Sequence, residues 1–326
     1  MSLWFRLVRV RFKERLKISI FGKFRVRFIL LTMVTLLCLF SHSAGAAKLE
    51  LVKEDAFLVA EGGNLIIESS GDVWVTVVKN SRVKIAIFAN DRAVKELDFK
   101  VEQRLNDVKI WTEEKDEGGS LNFNKVAIKY KIEVPEKYNI EIDTSGGDVD
   151  ISGLAGNIDI ETAGGDVDVR EIIGQIKVQS AGGDLLFKET KGDIEISSAG
   201  GDVHSEDFDG DVNISSMGGD LNLSGSNGKI KISTAGGDVD VLYFGRNKGI
   251  SISTAGGDVT LEIPQDFEAD VVLRAVVGSI ESEFDLETNQ NNWLPTGSME
   301  GEINGGGAEV TCHTAAGDVT LRRLSS

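Results

Sequence analysis

The chain has 326 residues, with 52 acidic and 35 basic side chains, so its formal net charge is −17 at pH 7. An acidic surface repels nucleic acid and anionic lipid, which argues against a nucleic-acid-binding protein. The chain has 37 Gly but only 3 Pro and 2 Cys, which favours many tight turns and excludes a framework of several disulfides.

The first 46 residues have the order of an export signal. Nine Lys and Arg side chains lie between Arg6 and Arg27, and the apolar run from Phe28 to Phe40 leads to the small residues Ala44-Gly45-Ala46. This apolar run is short for a membrane span, which needs about twenty residues. We predict that residues 1–46 are a signal peptide, that the protein reaches the periplasm, cell surface or medium, and that it does not insert into a membrane after cleavage. An uncleaved anchor is the alternative.

Residues 47–140 contain irregularly spaced runs of β-forming residues, such as Val73–Val78 and Val126–Val134, separated by charged stretches. We interpret this region as an irregular β cap on a larger array. The segments Gly63-Asn64-Leu65 and Gly71-Asp72-Val73 are short echoes of the repeat that follows. They suggest that the cap merges into the array, so the boundary near residue 140 is a soft one.

A Gly-Gly-Asp block recurs at a fixed interval in the second half of the chain. The aspartates of these blocks are Asp148, Asp166, Asp184, Asp202, Asp220 and Asp238, which are evenly spaced, followed after a slightly longer step by Asp258. A weaker copy, such as Gly156-Asn157-Ile158, lies midway between successive strong ones. A short and regular period of this kind predicts a stacked repeat array.

Each half-period is a turn followed by a short strand. In the unit of Gly164 and Gly165, Val167 and Val169 point to one side and Asp168 to the other, because side chains alternate along a strand. Two strands per period predict an all-β protein: a parallel β-solenoid over residues 141–326, with a loop insertion near 283–300. We expect each repeated Asp to close its own corner through a hydrogen bond to its own backbone two residues on.

Four segments follow one another in a distinctive order: Tyr130–Pro135, Ile140–Asp150 with the serial units after it, Gly301–Gly307 and Thr314–Leu321. Together they resemble a bacterial family of adhesin-like proteins, domain of unknown function 4097 (DUF4097). The resemblance covers about residues 60 to 326. It implies a β-solenoid in exported or envelope-associated proteins, and it supplies no catalytic residues.

Calcium binding is the main chemical alternative for the repeated aspartates. Calcium-binding nonapeptide repeats carry Gly-Gly-x-Gly-x-Asp, with ligands at both corners of the coil. Here the Asp follows the glycine pair directly, and Lys229 occupies one of the opposite corners. We therefore predict no cofactor and no metal, with calcium at the corner aspartates Asp148, Asp166, Asp184, Asp202, Asp220, Asp238 and Asp258 as the alternative.

A polysaccharide-active enzyme is the second alternative, because β-helices can place carboxylates on one outward face. Outward carboxylates are plentiful here: Asp150, Asp159, Asp168, Glu195 and Asp240. A solvated acidic surface explains them equally, and His204 and His313 lack the motif of a hydrolytic triad. We predict no catalytic residues.

The sequence favours a non-enzymatic interaction module of the cell envelope or surface, with a glycan or protein partner. Apolar side chains that depart from the polar outward pattern are the interaction candidates: Leu186, Leu242, Tyr243, Phe244 and Trp293. Local packing is the alternative role for each of them.

Overall fold

The computed structural model of the protein describes residues 48–115, 126–290 and 297–324. The predicted signal peptide and Trp293 lie outside these residues. Within the described ranges, no helix is long and apolar enough to cross a membrane.

The described chain forms 27 strands and one short helix. The helix α1 is Asp91–Glu96. The strands are β1 (Glu50–Leu58), β2 (Asn64–Ser69), β3 (Asp72–Val78), β4 (Arg82–Ala89), β5 (Leu97–Arg104), β6 (Asp107–Glu114), β7 (Ile128–Pro135), β8 (Asn139–Thr144), β9 (Val149–Ser152), β10 (Ile158–Thr162), β11 (Val167–Ile173), β12 (Ile176–Ser180), β13 (Leu185–Lys191), β14 (Ile194–Ser198), β15 (Val203–Asp209), β16 (Val212–Ser216), β17 (Leu221–Ser226), β18 (Ile230–Thr234), β19 (Val239–Tyr243), β20 (Ile250–Thr254), β21 (Val259–Ile263), β22 (Ala269–Val277), β23 (Ile280–Ser282), β24 (Glu287–Gln290), β25 (Gly297–Ile303), β26 (Ala308–Ala316) and β27 (Val319–Arg323).

From β7 to β24, successive strands alternate between two sheets, as the repeat predicts. Sheet A has 13 strands in the order β1-β4-β7-β3-β9-β11-β13-β15-β17-β19-β21-β27-β23. Sheet B has 14 strands in the order β24-β25-β22-β26-β20-β18-β16-β14-β12-β10-β8-β2-β6-β5. From β8 to β21 each strand pairs in parallel with the strand of the next coil in the same sheet, so the predicted parallel β-solenoid is confirmed.

The core lies between the sheets and consists of the inward positions of each coil. Ile158 pairs with Ile176 in sheet B, and Val167 pairs with Leu185 in sheet A, and all four side chains are buried. The register is fixed because a slip of one residue would expose these apolar columns to solvent. Stacked β-branched side chains thus hold the outward residues of successive coils in line.

Buried Ser and Thr residues close the corner before each Gly-Gly-Asp block. The Thr162 hydroxyl donates to the carbonyl of Gly164 at 2.6 Å and accepts from the amide of Gly164 at 3.1 Å. Ser198 makes the same two contacts with Gly200. Both hydrogen-bonding functions of these hydroxyls are therefore satisfied locally, which explains why short hydroxyl residues recur there.

Both ends of the described solenoid are built by inserting one coil between two others. The coil of β2 and β3 lies between that of β8 and β9 and the pair β6 and β7. At the other end, β26 and β27 lie between the coil of β20 and β21 and the pair β22 and β23. Segments distant in sequence therefore become neighbours, which the period of the repeat does not reveal.

Antiparallel strands flank the parallel array. At one end β1 pairs with β4, β4 with β7, and β5 with β6. At the other end β25 pairs with β22 and with β24, so the segment expected as a loop at 283–300 contains β24 and the start of β25. The strands β2 and β3 precede residue 140 and already belong to the parallel stack. The domain boundary near residue 140 therefore stays a prediction.

Candidate functional site

The seven candidate calcium ligands form one column of hydrogen bonds between coils. The Oδ1 atom of Asp184 accepts from the backbone amide of Asp202 at 2.9 Å, and Oδ1 of Asp202 accepts from the amide of Asp220 at 2.8 Å. The same contact links Asp148 to Asp166, Asp166 to Asp184, Asp220 to Asp238 and Asp238 to Asp258. The expectation that each Asp caps its own corner is wrong, because each caps the next coil.

The opposite corner carries a similar column that is interrupted. Oδ1 of Asn157 accepts from the amide of Gln175 at 3.1 Å, and Oδ1 of Asp211 accepts from the amide of Lys229 at 2.8 Å. Neither Gln175 nor Lys229 continues the column, since neither has an acceptor on its Cγ. Among the described residues, no three His, Cys, Asp or Glu side chains are grouped so that they could hold a metal ion.

The outer face of sheet A carries charged, polar and apolar side chains in adjacent positions. We call it the groove face and define it by two columns that run across the strands. The first column is Trp74, Asp150, Asp168, Leu186, His204, Asn222, Asp240, Thr260 and Thr320. The second column, two residues further along each strand, is Thr76, Ser152, Arg170, Lys188, Glu206, Ser224, Leu242, Glu262 and Arg322, with an irregularity in register between Glu206 and Ser224.

The groove face is recessed. Asp168, Leu186, Asn222, Leu242 and Thr260 are all half-buried despite pointing outwards. A depression of about 420 Å³ lies on this face, lined by side chains from both columns between His204 and Arg322. The outer face of sheet B differs, because its outward residues on β14, β16, β18 and β20 are all exposed and four of them form the row Ser197, Ser215, Ser233 and Ser253.

Opposite charges on the groove face are paired within it. Nζ of Lys188 lies 2.9 Å from Oε2 of Glu206, and this contact lowers the pKa of the Glu206 carboxyl. His204 lies on the same strand, with Nε2 at 3.9 Å from that oxygen. Arg170 forms an ion pair with Asp168. The central part of the face therefore presents charges that are largely compensated.

Asp168 is a carboxylate of this face whose surroundings disfavour the charged form. Burial raises its pKa, and the neighbouring carboxylate of Asp150 adds to that rise, while Arg170 and Lys188 oppose it. Its Oδ1 atom is shielded from solvent and has no hydrogen-bond partner among the described residues. A buried acceptor without a donor costs free energy, so this oxygen slightly destabilises the folded protein.

Trp74 begins the first column, and its side chain is 39% exposed. The ammonium of Lys129 lies 3.3 Å from the centroid of the indole, and that of Lys131 lies 5.3 Å from it. Both lysines belong to β7, which pairs with β3. The sequence interpretation missed Trp74, although aligning the echo Gly71-Asp72-Val73 with the main repeat places it in the column of Asp150.

The apolar interaction candidates have different positions. Leu186 and Leu242 lie on the groove face, and Phe244 is 51% exposed. Tyr243 is fully buried, and its hydroxyl donates to the carbonyls of Gly228 at 3.0 Å and Arg246 at 2.8 Å. Tyr243 is therefore a core residue, because it continues the inward alternation of its strand. Trp293 is outside the described residues.

The family profile of Toastrack DUF4097 matches residues 63–322 of the chain. Among solved structures, a candidate adhesin from Bacteroides fragilis is 22% identical with a TM-score of 0.45, and the match covers 66% of this chain and 97% of that one. A candidate adhesin from Parabacteroides distasonis is 12% identical with a TM-score of 0.37, covering 86% and 98%. A candidate lipid-binding protein from the same species is 10% identical with a TM-score of 0.36, covering 84% and 96%. No protein of curated function matches the chain. The family profile spans most of the sequence and nearly the whole two-sheet solenoid, and the chain belongs to the Toastrack DUF4097 family.

Proposed function

We propose that the protein is an exported, non-enzymatic interaction module of the cell envelope or surface, and that it contacts a glycan or protein through the groove face. The observation that carries the proposal is the contrast between the two outer faces. The groove face is recessed and varied, whereas the outer face of sheet B is exposed over β14 to β20 and carries a row of four serines there.

The shape of the groove face suits an extended partner. Its columns cross the strands of nine coils, and neighbouring strands lie about 4.8 Å apart. A partner lying across the strands meets a different side chain at each step, so many weak contacts add up. The stacked core holds these side chains in fixed positions, which reduces the entropy that binding would cost.

The proposed location is supported by the order of the first 46 residues, with a basic segment, an apolar run and small residues. Replacing Leu36 and Leu37 by Arg would place two charges in the apolar run and is expected to retain the protein in the cytoplasm. Immunoblots of fractionated cells test this expectation. Equal export of the parent and the variant would contradict the proposed location.

Binding is tested by co-sedimentation of the purified protein with a cell-envelope preparation from the source organism. Leu242→Arg places a long charged side chain in the depression, and Ser233→Arg places the same side chain on the outer face of sheet B. We expect the parent and Ser233→Arg to sediment equally and Leu242→Arg to lose most of the bound fraction. No sedimentation of the parent, or equal behaviour of both variants, would refute a contact through the groove face.

One observation favours a second candidate function, a polysaccharide-active enzyme. Asp150 and Asp168 are adjacent across two strands, the pKa of Asp168 is raised, and Arg170 lies beside it. A carboxyl whose pKa is raised is better suited to act as a general acid than one with an ordinary pKa. Release of new reducing ends from soluble polysaccharides, lost in Asp168→Asn, would establish this function in place of simple binding.

A further inference from the structure

We propose that the groove face takes an uncharged linear polysaccharide, and that one sugar ring stacks on Trp74 while its hydroxyls donate to Asp150 and Asp168. This inference rests on the proposed function, since it identifies the ligand of the same face. It adds a subsite that lies at the opposite end of the face from the depression.

The indole of Trp74 is the proposed stacking surface for a sugar ring. Lys129 is more buried than Trp74, with 21% of its side chain exposed, and its ammonium is 4.0 Å from Asp72. With this ammonium 3.3 Å from the ring centroid, Trp74 still keeps 39% exposure, so part of the indole is open to a ligand. The C–H faces of a pyranose are apolar and flat, and an exposed indole can cover one of them.

Two carboxylates beside the Trp74 indole can accept hydrogen bonds from the sugar. Trp74 is in register with Asp150 on β9, and Asp150 is in register with Asp168 on β11. Asp168 pairs with Arg170 through Oδ2, and 24% of its side chain is exposed. A carboxylate oxygen has a second lone pair, so a sugar hydroxyl can donate to it, and a neutral hydroxyl does so without adding charge beside Arg170.

The charge and the composition of the groove face argue against anionic polymers and against a protein partner. The protein carries a net charge of −17, which repels anionic polymers, while the ion pairs Arg170–Asp168 and Lys188–Glu206 already compensate much of the local charge. Protein interfaces have an apolar core that is depleted in charged residues. The apolar side chains of the groove face are only Trp74, Leu186 and Leu242, spaced several strands apart.

The spacing of the strands suits a linear polysaccharide. The first column crosses one strand about every 4.8 Å, and an extended chain of pyranose rings advances by a similar length per sugar. Beyond Leu186 the column continues with Asn222 and Thr260 in the depression, whose amide and hydroxyl can both donate and accept. Successive sugars would therefore meet successive strands without a bend.

The test is titration of the full-length protein with soluble hexasaccharides of β-linked glucose, mannose and galactose, and with an oligogalacturonate as the anionic comparison. Binding is measured by calorimetry. Trp111 is the matched control, because it is a partly exposed tryptophan on the outer face of sheet B, where its Nε1 donates to Glu113 at 2.9 Å. Circular dichroism checks that each variant is folded.

We expect at least one neutral hexasaccharide to bind. Trp74→Ala should lower the affinity by about tenfold or more, Trp74→Phe should restore most of it, and Trp111→Ala should leave it unchanged. Asp168→Asn should lower it about threefold to tenfold, because an amide is a weaker acceptor than a carboxylate.

Three outcomes would overturn the inference: none of the neutral hexasaccharides binds, the oligogalacturonate binds more tightly than all of them, or Trp111→Ala weakens binding as much as Trp74→Ala. The proposed function has a separate readout. If Leu242→Arg abolishes co-sedimentation with the envelope but no neutral sugar binds, the interaction module stands and the polysaccharide ligand is wrong. If the parent does not sediment and binds no sugar, both are wrong.

Discussion

The Gly-Gly-Asp corners and the groove face are made by the same coils, yet they obey the repeat to very different degrees. At the corners, Gly183, Gly201, Gly219 and Gly237 all have φ between 85° and 88°, and each aspartate contacts the next coil in the same way. On the groove face, six successive positions of the first column are Asp168, Leu186, His204, Asn222, Asp240 and Thr260.

The difference shows which residues are needed to form the coils. At the Gly-Gly-Asp corners, where neighbouring coils are in close contact, only one type of residue fits at each position and the repeat is strict. Where side chains point away from the sheet, the backbone tolerates many residues, and the variety is available to a partner. Substitutions at the corners should therefore change stability, and substitutions on the groove face should change binding with little effect on stability.

The two glycines of one corner provide the sharpest test and the largest expected effect. Gly201 has φ of +85°, and a Cβ atom there would lie 2.0 Å from the carbonyl oxygen of Gly183, whereas a Cβ on Gly200 meets nothing within 4 Å. Gly201→Ala should lower the free energy of unfolding by about 3 kcal/mol or more, and Gly200→Ala should change it by less than about 1 kcal/mol. Urea unfolding followed by circular dichroism measures both. Similar losses in the two variants would show that the strict repeat does not reflect coil contact.

Two buried threonines are expected to respond in opposite directions. Thr190 is 1% exposed and its Oγ1 has no hydrogen-bond partner among the described residues, so Thr190→Val should raise the free energy of unfolding by about 1 kcal/mol. Thr162 makes two hydrogen bonds to Gly164, so Thr162→Val should lower it by about 1–2 kcal/mol. Thermal unfolding of the pair checks the signs. A loss of stability in Thr190→Val would indicate that its hydroxyl has a partner.

The aspartate column should be more sensitive to the loss of an acceptor than to the loss of charge. Oδ1 of Asp202 accepts from the amide of Asp220, and this contact is on the protein surface. Asp202→Ala should cost about 1 kcal/mol, whereas Asp202→Asn keeps the acceptor and relieves repulsion between stacked carboxylates, so it should be neutral or stabilising. Chemical denaturation distinguishes the two. If both variants lose equal stability, charge is the important property of the column.

The sequence predicts the regular part of this molecule well and the irregular part poorly, for physical reasons. Period and alternation determine which residues of a coil enter the core. The same alternation places Tyr243 inside, although it was named as an interaction candidate, and its hydroxyl donates to two carbonyls there. Propensity does not tell which polar side chain closes a corner. Asp202 and Ser198 are both turn formers, and only the three-dimensional stack shows that Ser198 closes the corner while Asp202 contacts the next coil.

The candidate site could be found only in part from the sequence. Leu186 and Leu242 stand out as apolar residues at outward positions, and both lie on the groove face. The recess itself depends on the packing of distant coils, as does the insertion of β26 and β27 between β20–β21 and β22–β23. Arg322 reaches the depression only because of that insertion, and the period of the repeat carries no information about it.

Asp168 gives the groove face a pH-dependent effect that is smaller than those at the corners. Burial raises its pKa above the unfolded value, so the native state binds more protons between the two values and is favoured as the pH falls through that window. Asp168→Asn should therefore be slightly more stable than the parent at pH 7, and the difference should shrink as the parent carboxyl becomes protonated. Asp240→Asn, on the same face but exposed, controls for the change of net charge. Melting temperatures between pH 3 and pH 7 give the comparison, and a difference that grows on acidification would have the wrong sign.

Calcium should have the smallest effect of all. A calcium ion is bound by six to eight oxygen atoms, and one carboxylate oxygen of each of the seven corner aspartates already accepts a backbone amide of the next coil. Only the second oxygen of each carboxylate is left for an ion, and no group of three His, Cys, Asp or Glu side chains among the described residues could hold a metal. We therefore expect the melting temperature of the protein to be the same in millimolar calcium and in chelator, and the same holds for Asp202→Asn. A rise of several degrees that is lost in Asp202→Asn would show that the strict corners bind a ligand, and that the division between backbone residues and partner residues is wrong.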